Sequence, residues 1–435
     1  MTNRRSQVLY LSSAPSPEQF SYIRSQLRKG AQEVTYGMAA ASFRFHGLIL
    51  DGLSAQPETH VTSLVGRPVS PKFHGKKLWP SIRSQLANGT DSIEPGFLNV
   101  MGLKQACLAY ALAREARIWE KKTRSAPERF AIVDASYITA LPGVVGALRK
   151  REVPIIGIFA DLYSYMADVS DAGERNVSIA FRLAREVMKK SINSMDGFVV
   201  LTEPMNDVIN ATGKPYIVME GLADISQAAR SVKLTDKTHN PTIMYAGALR
   251  QEYGLADLVD GFKLLPDPDV RLLIYGQGNF ADTIRAAAFT DPRIDFRGSA
   301  LVDEVLSEEE KAWILVNPRP ADQEFTKYSF PSKNLEYLAS GTPLLTTRLP
   351  GMPQDYYDYV LTIDSPGANQ IAEALAHAIS LGPERLHSMG SAGKNFVLKE
   401  KNNIKQADRI MNLCRQVVGA PPERSVDQNQ ANELP

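Results

Sequence analysis

Short apolar runs alternate with helix-length amphipathic stretches twice over along these 435 residues, and few architectures accept that rhythm. The first series of runs is Val8–Ser12, Val61–Val65, Phe97–Val100, Phe130–Asp134, Ile155–Ala160, Phe198–Thr202 and Tyr216–Met219. Helical patterns lie near 37–55, 102–122, 137–150, 175–194 and 203–211. The second series is Ile243–Ala246, Val270–Tyr275, Ile294–Arg297, Trp313–Asn317, Pro343–Thr347 and Val360–Ile363. Its helical patterns lie near 255–265, 280–288, 332–340, 367–381 and 383–400. Val/Ile/Leu-rich strands interleaved with helices predict parallel sheets covered on both faces. The polar break Lys233–Pro241 separates the two series. The predicted fold is therefore α/β, with two doubly wound, Rossmann-like domains at 1–232 and 233–400. A helix at 401–419 is expected to cross back to the first domain, and 420–435 reads as a disordered tail. Paired sheets of this kind bind ligands outside the carboxyl ends of their strands.

Composition narrows the function. A net charge of +1 with 22% charged residues gives no field for nucleic acid. Cys107 and Cys414 are the only cysteines and supply neither a disulfide framework nor a zinc site. With no signal-like apolar core and no long apolar run, the expected location is cytoplasmic. Six scattered histidines lack ligand spacing, so no metal and no cofactor are expected. Asp267-Pro-Asp269 sits between a helix and a strand and reads as a turn.

Tyr328–Thr347 carries the clearest chemistry. It reads as a loop, a short helix, a stop at Gly341 and Pro343, and a buried strand. Pro331 fits the first helical turn, and Ser329 or Ser332 is placed to cap it. Free N–H groups at a helix start, with Ser332 and Lys333, suit a phosphate. Glu336 shares a helix face with Ser332 and suits sugar hydroxyls. The combination describes a site for a nucleoside-diphosphate sugar.

Further landmarks occur in order: Tyr245-Ala-Gly247-Ala-Leu-Arg250 with Tyr253-Gly254-Leu, Leu273-Ile-Tyr-Gly276-Gln-Gly278, Phe296-Arg-Gly298, Leu315-Val-Asn-Pro318, then the Tyr328–Thr347 segment with Gly341-Thr-Pro343. Over roughly 240–380 this set resembles the retaining, nucleotide-sugar-dependent glycosyltransferases of family 4, group 1 transferases with the GT-B fold. The first domain matches only in its rhythm and at Gly221-Leu-Ala-Asp224. The resemblance implies a donor site in the second domain, formed by Gly247, Gly276, Gly278, Tyr328, Ser332, Lys333 and Glu336. Arg250 and Lys333 would stabilise the leaving diphosphate. It also implies an acceptor-binding first domain, with Asp161 at the carboxyl end of its strand as the candidate to orient an acceptor hydroxyl and Asp134 as a second. A UDP-sugar donor and a glycan or lipid-linked glycan acceptor, in bacterial surface polysaccharide or glycolipid synthesis, complete the expectation. Two departures stand out: Tyr328 occupies the place of the motif's first glutamate, and Tyr253 the place of a lysine before Gly254.

Other readings remain open here. Gly276-Gln-Gly278-Asn-Phe-Ala281 with Asp295 formally fits a dinucleotide fingerprint, as in a nicotinamide dehydrogenase, but follows its domain's second strand. A sugar-nucleotide epimerase shares the two-domain plan. A catalytically degenerate scaffold subunit would explain both tyrosine departures. The basic stretches Lys72–Lys77, beside Trp79, and Arg182–Lys190 offer a peripheral contact with the inner face of a membrane.

Overall fold

A computed structural model describes residues 6–28, 37–136, 141–162 and 179–419. Its strands form two large sheets. The first is eight-stranded, in the order β10-β9-β8-β7-β1-β2-β5-β4. It comprises β1 (Ser6–Ser12), β2 (Thr59–Val65), β4 (Ile82–Gln85), β5 (Asp91–Glu94), β7 (Glu128–Asp134), β8 (Ile155–Phe159), β9 (Gly197–Val200) and β10 (Tyr216–Val218). Every pair is parallel except β4 on β5 at the edge. The second sheet is six-stranded and wholly parallel, in the order β13-β12-β11-β14-β15-β16. Its strands are β11 (Thr242–Ala246), β12 (Arg271–Tyr275), β13 (Ile294–Gly298), β14 (Ile314–Asn317), β15 (Leu344–Thr347) and β16 (Leu361–Ile363). The continuous apolar runs are the buried central strands: no residue of β8, β11 or β14 is exposed, as expected when helices cover both faces. Each sheet has a core on both sides.

One strand expectation needs correction. Phe97–Val100 does not join the parallel sheet. β6 (Phe97–Leu98) instead pairs antiparallel with β3 (Leu78–Trp79) in a separate ribbon, and Asp91–Glu94 takes the sheet position beside β2. The apolar character of Phe97 serves a local cluster: its ring stacks on Trp79 at 6.3 Å, and the buried Arg67 guanidinium lies 5.3 Å from its centre. Trp79 is fully buried there, so it is core rather than a membrane anchor.

The chain passes between the lobes twice, side by side. Ala223 N–H donates to Lys401 O and Asn403 N–H to Ala223 O. Buried Glu220 ties the two crossings together, accepting from Tyr356 Oη at 2.8 Å and pairing with Lys401 at 2.7 Å. After the second crossing the Asn403–Val417 helix returns to the first sheet. Its Ala407, Ile410, Met411 and Cys414 pack with Val8, Tyr10 and Ile156. The segment 420–435 lies outside the described residues.

Candidate functional site

Segments following strand carboxyl ends in both sheets contribute contacts between the lobes. Thr202, after β9, donates from Oγ1 to Lys327 O at 2.8 Å. Tyr328 packs on the first lobe's core cluster, so the residue standing for the motif's first glutamate is a contact between lobes. Gly221, at the first crossing, lies against Leu335; a Cβ there would sit 2.5 Å from Leu335 Cδ1.

The Ser332–Ser340 helix stops at Gly341, in the left-handed region with φ +86°. Its start departs from expectation. Pro331 takes the N-cap position, and neither Ser329 nor Ser332 caps the turn. Ser329 Oγ donates back to Phe325 O, while Ser332 is exposed. The helix start is instead pinned from the strand: Asn317 at the end of β14 donates to Asn334 Oδ1 at 2.6 Å, both side chains being buried. Only the side-by-side placement of the two segments brings these asparagines together.

Lys333 and Glu336 form an ion pair. Arg44, from the Gly37–Ser54 helix of the first lobe, reaches Glu336 Oε2 at 2.5 Å. Beneath them lies Glu309 of the Val302–Lys311 helix, fully buried, 3.8 Å from Lys333 Nζ and next to the Glu336 carboxylate. Burial, reinforced by the neighbouring Glu336 charge, pushes the Glu309 pKa well above the usual carboxylate value. Burial also acts against ionisation of Glu336, but Lys333 and Arg44 outweigh it and hold that pKa low. The two neighbouring carboxyls are thus pushed apart, Glu336 towards the charged form between two cations and Glu309 below it towards the neutral form.

The glycine turns lock the strand ends to each other. Gly276, at φ +144°, lies so close to the next loop that a Cβ would be 1.9 Å from Gly247 O. Gly247 N–H donates to Tyr275 O, and Leu249 N–H to Gln277 O at 2.8 Å. Gly278 packs against the backbone of Leu249 in the same way. These three glycines therefore shape the rim by backbone packing. Arg250 sits on this rim, with Nε 3.1 Å from Glu252 Oε1. Arg319, which no sequence motif marks, follows β14 and stacks on Tyr253, with 4.4 Å between its guanidinium carbon and the ring centre.

On the first-lobe side, Asp161 is exposed just beyond β8. The following 163–178 lie outside the described residues. Asp134 is different: it is buried, lies 3.2 Å from His46 Nε2, and accepts from the Ser136 N–H and hydroxyl. His46 in turn contacts Tyr10 Oη at 2.5 Å. Asp134 belongs to this internal polar chain. Asp267 and Asp269 form the expected turn, with Asp269 N–H donating to Asp267 Oδ1. Among the described residues no group of three His, Cys, Asp or Glu could hold a metal, and no helix is long and apolar enough to cross a membrane.

Residues 240–380 match the family model described as glycosyl transferases group 1. No curated protein matches the chain. Solved structures match it almost end to end. Sucrose-phosphate synthase from Thermosynechococcus elongatus is 15% identical with a TM-score of 0.60, covering 95% of this chain and 100% of that one. The α,α-trehalose 6-phosphate synthase from Burkholderia multivorans is 14% identical with a TM-score of 0.57, covering 95% and 97%. Anabaena HepE in complex with UDP is 12% identical with a TM-score of 0.55, covering 94% and 98%. The architecture is GT-B, two Rossmann-like lobes. The group 1 match lies within the second of these lobes.

Proposed function

We propose that the protein moves a sugar from a nucleoside-diphosphate donor, a UDP-sugar, to an acceptor hydroxyl with retention of anomeric configuration. The observation that carries this reading is the Lys333–Glu336 pair at an uncapped helix start beside the end of β14. As the glycosidic bond breaks, negative charge grows on the diphosphate and positive charge on the sugar ring. Free N–H groups and Lys333 meet the former without reorganising. Glu336, held ionised, is an acceptor for ribose hydroxyls, and a fixed ribose orients the bond to be broken. Arg44 holds the same carboxylate from the first lobe, so lobe position and donor grip are coupled. The leaving phosphate is suited to take the acceptor proton on the same face, with Asp161 orienting the hydroxyl. No metal or cofactor enters this scheme. The UDP-bound state of HepE supports uridine as the base.

The acceptor assigned to the first lobe is a glycan or lipid-linked glycan of a bacterial surface polymer or glycolipid. The β3–β6 ribbon supports a peripheral membrane contact. Leu78, Met101, Leu103 and Tyr110 are 64%, 73%, 55% and 67% exposed, and Lys76 and Lys77 directly precede Leu78. Leu78, Leu98 and Tyr110 also line a cavity of about 580 Å³. Apolar groups framed by lysines fit an anionic lipid surface. The other basic stretch, Arg182–Lys190, has Arg182 and Arg185 among side chains outside those described.

A nucleotide-sugar panel assayed by diphosphate release, with and without lipid acceptors, tests the transfer. If Glu336→Ala and Lys333→Ala both keep wild-type turnover, the donor assignment fails. Sedimentation with phosphatidylglycerol vesicles tests the surface. Leu103→Asp should reduce bound protein several-fold, and equal binding by the variant removes the contact.

A further inference from the structure

Arg319 stands two residues beyond β14, on the same rim as the Lys333–Glu336 pair. Its guanidinium is held between rings, 4.4 Å from the centre of Tyr253 and 5.7 Å from that of Phe325. Its Nε is buried and has no hydrogen-bond acceptor. Among the described residues no carboxylate forms an ion pair with it; its neighbours are the neutral phenols of Tyr253 and Tyr245. Burial of part of the side chain pushes its pKa down.

The two other rim cations differ. Arg250 is paired with Glu252, and Lys333 with Glu336. Next to Arg319, Pro318 O lies against Gly254, where a Cβ would meet it at 2.1 Å. Gly254 begins the Leu255–Lys263 helix, which has no side-chain cap. An unpaired planar cation beside open first-turn N–H groups is matched by an anion with several oxygens. The ring of Tyr253, in the place of an expected lysine, is the platform on which Arg319 rests; Arg250 also lies 5.9 Å from that ring.

We propose that Arg319 is the principal diphosphate-binding cation of this rim, a site for pyrophosphate-type anions generally. For the nucleotide donor, this rests on the transferase reading above.

The test is calorimetric titration of the full chain with inorganic pyrophosphate, UDP and uridine, alongside turnover on the nucleotide-sugar panel. Arg319→Gln should weaken pyrophosphate and UDP binding roughly tenfold or more and leave uridine unchanged. Arg250→Gln should change them less than about threefold, as its charge is already met by Glu252. Wild-type-like pyrophosphate binding by Arg319→Gln, a wild-type protein that binds no pyrophosphate, or an equal loss for uridine each overturns the proposal. If Arg319→Gln does not fold, Arg319→Lys carries the test: it keeps the charge but not the fork, so it should lose affinity for pyrophosphate alone. Selective loss of pyrophosphate in a protein that turns over no nucleotide sugar keeps the anion site and removes the transferase reading. Turnover with unchanged pyrophosphate binding in Arg319→Gln does the reverse.

Discussion

The two lobes share a strand–helix rhythm but finish their strand ends differently. In the second lobe the turns are locked by backbone contacts that only glycine allows, Gly276 against Gly247 and Gly254 against Pro318. Cations stand on this stiff rim, so their positions are set before any ligand arrives. In the first lobe the polar groups at one strand end turn inward, as in the Tyr10–His46–Asp134 chain. The β3–β6 ribbon, which lies outside the large sheet, exposes apolar side chains to solvent. Under the proposed function, the rim of fixed charge is the donor side, where the diphosphate never varies, and the apolar ribbon is the acceptor side. The family match confined to 240–380 falls on the stiff lobe.

The largest effect that would sharpen this contrast is on chemistry. Lys333→Ala should lower donor turnover about a hundredfold or more, the scale of one lost transition-state donor at about 3 kcal/mol. Steady-state diphosphate release measures it, and a change below threefold removes Lys333 from the mechanism. Next is Gly276→Ala, which must push back the 247–249 loop and holds a strained φ. A loss of about 2 kcal/mol or more is expected in urea unfolding, and an unchanged midpoint would show that the rim is not locked.

Glu309→Gln tests the buried acid beneath the ion pair. Glu309 has its pKa raised in the native state. Its stabilising share is therefore complete below the ordinary carboxylate range and falls as pH rises through the interval above it. The glutamine variant does not titrate, so it should gain on the wild type between pH 5 and pH 8, by up to about 1.4 kcal/mol per pH unit. Parallel curves at the two pH values would mean that Glu309 is ionised. The smallest effect belongs to the first lobe. Gly146 lies in the Leu141–Arg149 helix with open space at its Cβ position, so Gly146→Ala should stabilise by about 0.5–1 kcal/mol. A loss on thermal unfolding would show a crowded site and blur the contrast with Gly276.

Much of the fold was legible because it is local. Buried parallel strands need unbroken Val/Ile/Leu runs, and the helix after Pro331 must stop where Gly341 takes a left-handed turn and Pro343 follows. The placement of Phe97–Val100 failed because an apolar run looks the same in a central strand and in a ribbon packed on Trp79. For the site, Ser332, Lys333 and Glu336 could be read as one helical turn from their spacing. Their partners could not be read: Arg44 lies 292 positions away from Glu336, and Asn317 meets Asn334 only because strand and helix start are adjacent. That Tyr328 also packs on the first lobe's core could not be read from its place in the motif. Arg319 had no motif to mark it. Its significance is the absence of a counter-ion, and that depends on which side chains surround it. Sequence by itself determined the elements and the local chemistry of one helix turn, because hydrophobic period and backbone stereochemistry act over a few residues. Tertiary structure decided which charges are paired, which acid is buried and which arginine rests on rings without a carboxylate, because those depend on neighbours brought together only by folding.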